Sequence, residues 1–204
     1  MLCAACRQSL RSPGPTLCGR CGAPTLWPVD RCRECAGRRL AFRRARSAVA
    51  YSGAARDLVA AWKEHGLRRA ANLAAELVVE RVDAPTADVI TPIPPDPTRL
   101  LVRGHHPAGR LARELARRWG LPEAGLLVRA GAGSSERQTG LARVDRLRNA
   151  RGAFVAVTAT PRRIVLVDDV YTTGATVSAA ATALRHAGAR NVDVVTFART
   201  VRLS

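Results

Sequence analysis

Two aspartates stand side by side at positions 168 and 169, and their flanks define what the pair can do. Before them runs Ile164-Val165-Leu166-Val167, with the length and β-branched content of a strand buried on both faces. After them comes Val170-Tyr171-Thr172-Thr173-Gly174-Ala175-Thr176, a turn rich in hydroxyls. Gly174 permits a tight bend, and Thr172, Thr173 and Thr176 can accept from helix-start amides or donate to an anion. From Thr176 to Gly188 the chain is rich in Ala, the pattern of a helix closed by glycine. A strand, a polar turn and a helix N-terminus together form a phosphate site, because free N–H groups and the helix dipole converge on it. Adjacent carboxylates repel and are costly unless they accept hydrogen bonds or face a cation. Neighbouring hydroxyls of a sugar supply the first, and a magnesium complex supplies the second. The stretch is not a G-x-x-x-x-G-K-[ST] loop, since no lysine follows the glycine. The plainer alternative is a strand ending in two exposed acids and a capped helix.

A second group of reactive side chains sits at the other end of the chain. Six cysteines form three C-x-x-C pairs, all before residue 36: Cys3 with Cys6, Cys18 with Cys21, and Cys32 with Cys35. Two such pairs make a tetrahedral thiolate site for zinc, and a closed four-thiolate site is structural. Glycine after Cys21 permits the turn of a zinc knuckle, which favours Cys18, Cys21, Cys32 and Cys35 as the quartet. Ten residues separate Cys21 from Cys32 and eleven separate Cys6 from Cys18, so both linkages are feasible and Cys3 with Cys6 are left over. Metal-free thiols are the alternative. Residues 1–42 are thus expected to be a cysteine-rich zinc module and 43–204 the larger domain.

The elements that must position these groups follow from apolar periodicity. Ala48 to Tyr51 reads as a strand, and Gly53 to Glu64 as a helix ending beside Lys63, the chain's single lysine. A lysine at a helix end is ordinarily a solvated residue, but an arginine-rich sequence has kept this one, which raises a functional reading. Leu67 to Val82 reads as a second helix, and Ala87 to Pro94 as a strand entering a proline-stiffened loop. Ala108 to Trp119 is an amphipathic helix stopped by Gly120, and Leu126 to Arg129 a short strand. Residues 130–152 carry Gln138, Arg143, Arg146, Arg148 and Asn149 with few large apolar side chains, and read as a lid or a solvated basic loop. Strands at 153–157, 164–167 and 192–197 complete an alternation that means an α/β fold with a mainly parallel sheet.

The length of 204 residues suits one medium domain with a small accessory module. The net charge of +17 points to phosphates, nucleic acid or an anionic surface, discounted because arginine and alanine abundance also reflects a GC-rich genome. No apolar run is long enough to span a bilayer, and the N-terminus shows no signal-peptide core. Together with the paired cysteines this makes a cytoplasmic location the expectation.

Residues 163–176 closely resemble the PRPP motif of type I phosphoribosyltransferases (PRPP is 5-phosphoribosyl 1-pyrophosphate). Nearly the whole chain resembles the ComF family of competence-related, phosphoribosyltransferase-like proteins. The likeness rests on the C-x-x-C pairs, on Tyr51 and Gly53 with Lys63 and Gly66, and on Thr91-Pro92-Ile93-Pro94 and Arg103-Gly104. It continues through Gln138, Arg148-Asn149 before Ala153-Phe154, the aspartate turn, and Gly188-Ala189 with Val192. The fold implied is type I phosphoribosyltransferase-like, a mainly parallel sheet flanked by helices with an N-terminal zinc module.

The resemblance implies Mg-dependent phosphoribosyl transfer with pyrophosphate release, the acceptor unassigned. Asp168 and Asp169 would hold the ribose, Thr172, Thr173, Gly174, Ala175 and Thr176 the 5′-phosphate, and Lys63 with Arg103 the pyrophosphate. Gln138, Arg148 and Asn149 would belong to the lid. It also implies a link to DNA uptake: single-stranded DNA and uptake machinery at the inner membrane as partners, with Trp27, Trp62 or Trp119 as stacking candidates. Most of those tryptophans sit in apolar contexts and are expected in the core. A non-catalytic PRPP-sensing regulator is a third reading. The family pattern R-G-F-N-Q-A is replaced here by Arg103-Gly104-His105-His106-Pro107-Ala108, and an adjacent histidine pair is expected to be a solvated part of the loop.

Overall fold

The computed structural model of the protein describes residues 3–64, 66–67, 69–130 and 152–201. Its centre is a four-stranded, all-parallel sheet in the order β1-β6-β5-β2, built from β1 (Arg44–Ala50), β2 (Val89–Pro92), β5 (Arg163–Tyr171) and β6 (Asn191–Arg199). Helices α2 (Gly53–Glu64), α3 (Arg69–Arg81) and α5 (Pro107–Trp119) cover one face. The other face carries α6 (Ala175–His186), an antiparallel pair of β3 (Leu127–Arg129) with β4 (Phe154–Ala156), and the cysteine segment. A short helix α1 (Ala4–Ser9) leads the chain, and α4 (Pro97–Arg103) lies between β2 and α5. The mainly parallel sheet flanked by helices is the fold expected from the sequence, except that the strand near 153–157 pairs in the separate hairpin.

The period of two along the central strands divides the core. Val165 and Val167 of β5, with Val195 and Phe197 of β6, meet Trp62, Leu77, Val78, Leu111 and Leu115 of the helices. Ile164 and Leu166, with Val192 and Val194, point the other way, onto Leu184 of α6, Phe154 of the hairpin, and Leu40 and Phe42. Each large apolar side chain fully buried in this way contributes about 1.5–3 kcal/mol, so a strand buried on both faces is held firmly on both. Alanines at 70, 71, 74 and 75 in α3, and at 180 and 181 in α6, are all buried and let the helices lie close to their neighbours.

The cysteine segment shares this core. Its Cys18, Cys21 and Cys35 are buried in the same cluster as Ile164 and Leu166. The Ala45 amide of β1 donates to Arg20 O at 2.8 Å, and Arg46 Nη1 donates to Cys18 O and Gly19 O, both at 3.2 Å. Gly22 has φ 69°, and a Cβ there would stand 2.6 Å from Ala45 O, so only glycine fits this approach of knuckle to strand. Among the described residues no helix is long and apolar enough to cross a membrane.

Candidate functional site

The paired aspartates lie within a strand that runs on to Tyr171, two turns of the pleat beyond the end expected at Val167. β6 continues alongside and supplies the pairing, Asp168 opposite Thr196 and Val170 opposite Ala198. On the other flank β2 leaves after Pro92 pairs with Val167; the Ile93 amide makes one more bond to Val167 O at 2.8 Å, and Pro94 and Pro95 follow with no N–H to donate. The crevice therefore opens beside residues 168–170, at the carboxyl end of the central strand, where parallel sheets bind ligands.

Successive strand residues face opposite sides, so each aspartate looks toward a different layer. Asp169 Oδ2 meets Lys63 Nζ of α2 at 2.8 Å. Asp168 accepts the Asp169 amide at 2.9 Å on Oδ1. Burial and then the charge of Asp169 push the Asp168 carboxyl up to about 7, against the smaller opposing pull of the Asp169 amide, Lys63 and Arg129. The cleft thus holds a carboxylate pair of which Asp168 resists ionisation.

The walls are mostly basic and proline-rich. Arg99 and Arg103 of α4, Arg129 of β3, Lys63 and Thr176 line a cavity of about 210 Å³ with both aspartates. Arg129 is braced by donating Nε to Pro94 O at 3.2 Å and by lying 5.0 Å over the Phe154 ring. His105 and His106 also line the cleft, and neither is the solvated loop residue expected. His105 is buried between two carbonyls, Nε2 2.7 Å from Trp62 O and Nδ1 2.8 Å from Arg103 O. His106 Nε2 lies 2.8 Å from Ile93 O, and burial lowers its pKa, which keeps the ring neutral and makes Nε2–H the donor.

The turn after the aspartates is built on Tyr171. Gly174 has φ 75° and caps α6, and a Cβ there would overlap the Tyr171 hydroxyl, so the backbone rests directly on the ring. Thr173 Oγ1 accepts the Ala175 amide at 3.3 Å. Thr172, Thr173, Ala175 and Thr176 are exposed around the start of α6, which has no side-chain cap from Gly174. Lys63, Arg103, Asp168, Asp169 and Thr176 thus share one cleft, with Thr172 to Ala175 in the adjoining turn. Gln138, Arg148 and Asn149 lie outside the described residues. Sequence reasoning passed over Arg99 and Arg129; the placement of Arg129 at the carboxyl end of a strand was the available signal.

On the far side of the sheet's rim the cysteine quartet is assembled. The Sγ atoms of Cys18, Cys21, Cys32 and Cys35 all lie within 4.8 Å of one another, while Cys3 and Cys6 are exposed elsewhere. Cys18–Cys35, Cys21–Cys32 and Cys32–Cys35 Sγ separations are 3.7, 3.5 and 4.0 Å. A tetrahedron of Zn–S bonds of ~2.3 Å has edges of about 3.8 Å, so the spacing fits zinc, and it is far too long for disulfides of ~2.05 Å. Burial acts to raise the Cys18 thiol, but the amides of Cys21, Cys32 and Arg20 overcome it and bring it to about 7. Burial raises Cys35 to about 11 and Cys21 further still. With four thiols facing one point and Cys21 and Cys35 raised by burial, a cation is the natural way to hold all four as thiolates.

A parallel sheet with an acidic pair and hydroxyl turn at its carboxyl edge, joined to a cysteine centre, matches the phosphoribosyltransferase-like arrangement expected from the sequence. The chain is 27% identical over 209 residues to competence protein F of Haemophilus influenzae, covering 97% of this chain and 90% of that relative. The likeness to the ComF proteins drawn from the sequence therefore holds along almost the full length. No family model matches. Similar solved structures include the allosteric regulatory enzyme of purine biosynthesis (26% identity, 62% of this chain, TM-score 0.41). The glutamine PRPP amidotransferase of B. subtilis is 25% identical over 62% of this chain (TM-score 0.42), and adenine phosphoribosyltransferase of Thermoanaerobacter pseudethanolicus 16% over 67%, with 83% of that chain covered (TM-score 0.41). The chain spans about a quarter of the length of the first two, 24% and 25%.

Two outcomes follow from the charge and thiol geometry. The folded Asp168 carboxyl, near 7 rather than 3.8, holds a proton where the unfolded chain has lost it, so its contribution to stability falls as pH rises from about 4 to 7 and is flat above. Asp168→Asn is accordingly expected to melt above the parent at pH 8 (~2–4 °C per kcal/mol regained), with the gap closing toward pH 4 in thermal melts. Metal analysis of purified protein is expected to give about one zinc per chain, lost in Cys21→Ser and retained in Cys3→Ser.

Proposed function

We propose that the protein binds PRPP with magnesium and transfers its phosphoribosyl group, releasing pyrophosphate. The observation that carries this reading is the adjacent pair Asp168 and Asp169 in an arginine-walled cleft. Among the described residues, the one ion pair that either carboxylate makes is that of Asp169 with Lys63.

In this reading the two carboxylates accept the ribose 2′ and 3′ hydroxyls, which offsets the burial and the repulsion from Asp169 that raise Asp168. The open amides at the start of α6, with the hydroxyls of Thr172, Thr173 and Thr176, receive the 5′-phosphate. Lys63 is released from Asp169 as the hydroxyls bind, and turns with Arg103 toward the pyrophosphate; Arg99 and Arg129 add positive charge to the same wall. Arg129 is braced before any ligand arrives, and the cations together face where charge accumulates on the leaving group. Oxygens of Asp168 and Asp169 with those of the ligand suit magnesium, which when bound spreads the departing charge. Zinc held by Cys18, Cys21, Cys32 and Cys35 is structural, because all four positions are protein ligands.

A second reading has its own observation. Trp62 is fully buried and Trp119 packs partly buried against the core, as expected of most of the tryptophans, whereas Trp27 is 63% exposed, beside Leu26 at 89%. Exposed Arg31, Arg33, Arg38 and Arg39 lie in the same cysteine segment. An exposed aromatic among arginines stacks bases while phosphates pair with the cations, which fits single-stranded DNA.

Isothermal titration with PRPP and magnesium is expected to show binding that the double substitution Asp168→Asn with Asp169→Asn abolishes; unchanged binding would remove the site assignment. Pyrophosphate release across a panel of acceptor bases separates an enzyme from a PRPP-sensing regulator, which binds without release. For the second reading, Trp27→Ala should weaken single-strand binding by about 5- to 100-fold at ~0.15 M salt, while loss of binding by the parent at that salt would count against it.

A further inference from the structure

Arg199 joins the two chemical centres. It is an arginine at 1% exposure, at the carboxyl end of β6, and it belongs neither to the cysteine quartet nor to the cleft. A guanidinium this deep is tolerated only where its donors are satisfied. Nη1 donates to Cys21 O at 2.6 Å and Nη2 to Glu34 Oε2 at 3.1 Å, both in the cysteine segment, and Nε to Thr200 O at 3.3 Å. The guanidinium carbon lies 5.1 Å from the centre of the Tyr171 ring.

The other face of this arrangement is the turn. The Tyr171 ring takes the edge of Phe42 at 6.3 Å and carries Gly174 directly above its hydroxyl. The residue after Arg199 holds the turn by its backbone: the Thr200 amide donates to Tyr171 O at 2.9 Å, and Thr200 Oγ1 donates to Thr172 O at 3.2 Å. The ring and the main chain of residues 171–174 are therefore both fixed by Arg199 and Thr200. Arg199 is fixed in turn by the carbonyl of one candidate zinc ligand and by the carboxylate of Glu34, which precedes another.

We propose that Arg199 is a positioning residue through which the metal-closed cysteine centre sets the geometry of the Tyr171–Thr176 turn. This rests on the reading of that turn as the phosphate site. Gathering the four sulfurs on a metal places Cys21 O and Glu34 where they complete the partners of Arg199. Loss of the metal loosens both, the buried guanidinium is left short of acceptors, and its contact with Tyr171 gives way. The turn above the ring then loses its platform. The cysteine centre thereby governs ligand affinity at a site it does not touch.

Hydrogen exchange of the full chain, zinc-loaded and zinc-stripped under reducing conditions, tests this without requiring activity. Stripping is expected to speed exchange in residues 171–178 by at least ~10-fold while α3 keeps its protection, and to weaken PRPP binding by a similar factor. Arg199→Met should retain one zinc per chain, exchange rapidly in 171–178 with or without zinc, and bind PRPP as weakly as the stripped parent. Glu34→Gln, at a side chain 32% exposed, removes one partner with little risk to folding and should give an intermediate effect. Stripping that raises exchange only within residues 18–35 overturns the proposal. Zinc-dependent exchange in 171–178 without any PRPP binding upholds the coupling and removes the phosphate reading instead.

Discussion

Two like charges on consecutive residues of a strand are the constraint around which this fold is arranged. Repulsion alone would place Asp168 and Asp169 on a solvated loop, where water screens them. Here they are held partly buried in the second half of the central strand. Pleating sends them toward opposite layers; Lys63 from the helical face pairs with Asp169 and also lowers Asp168, to which Arg129 from the hairpin face adds a smaller pull. These cations do not overcome burial, so Asp168 remains hard to ionise. Buried carboxylates of this kind are stabilised by hydroxyl donors or by a cation.

Holding charges in that position requires a rigid frame, and the frame comes from residues with no chemistry of their own. The run from Ile164 to Val167 is fully buried on both faces, so β5 cannot slip by one residue without exchanging its two cores. Prolines at 92, 94 and 95 end the pairing of β2 and leave the flank of β5 open where the aspartates begin. Arg199 gives the rim a polar anchor that reaches the cysteine segment, which is why that segment behaves as part of the core instead of an appended bead.

Much of this was legible in the sequence for physical reasons. Buried β-branched runs, capped amphipathic helices and paired cysteines are local patterns, and α2, α5 and the cysteine quartet appear where such patterns place them. What was missed was not local. Helix α4 has no buried residue, so apolar periodicity could not reveal it; its caps could have, with Asp96 accepting the Arg99 amide, Pro97 in the first turn and Gly104 at φ 64°. The extra length of β5 was hidden because two acids resemble a strand end, and only the partner strand running on to Arg199 shows otherwise. The roles of Arg129 and Arg199 depend on contacts from distant segments, which no spacing encodes.

The histidine pair shows how a departed family motif can keep a site in place by different means. Gly104 ends α4, and the next residue turns its imidazole inward between the carbonyls of Arg103 and Trp62. Trp62 immediately precedes Lys63, and its carbonyl lies in the last turn of α2, where no intrahelical partner remains. His105 thereby ties the helix that delivers Lys63 to the helix that delivers Arg103. His106 fastens Ile93 O, at the point where β2 leaves the sheet, and its ring lies so close over Gly109 that a Cβ there would overlap it. The motif substitution therefore falls on the joints between α2, α4 and β2. Its effect on the cleft is exerted through the spacing of Lys63, Arg103 and the proline edge, while both aspartates are left as the strand presents them.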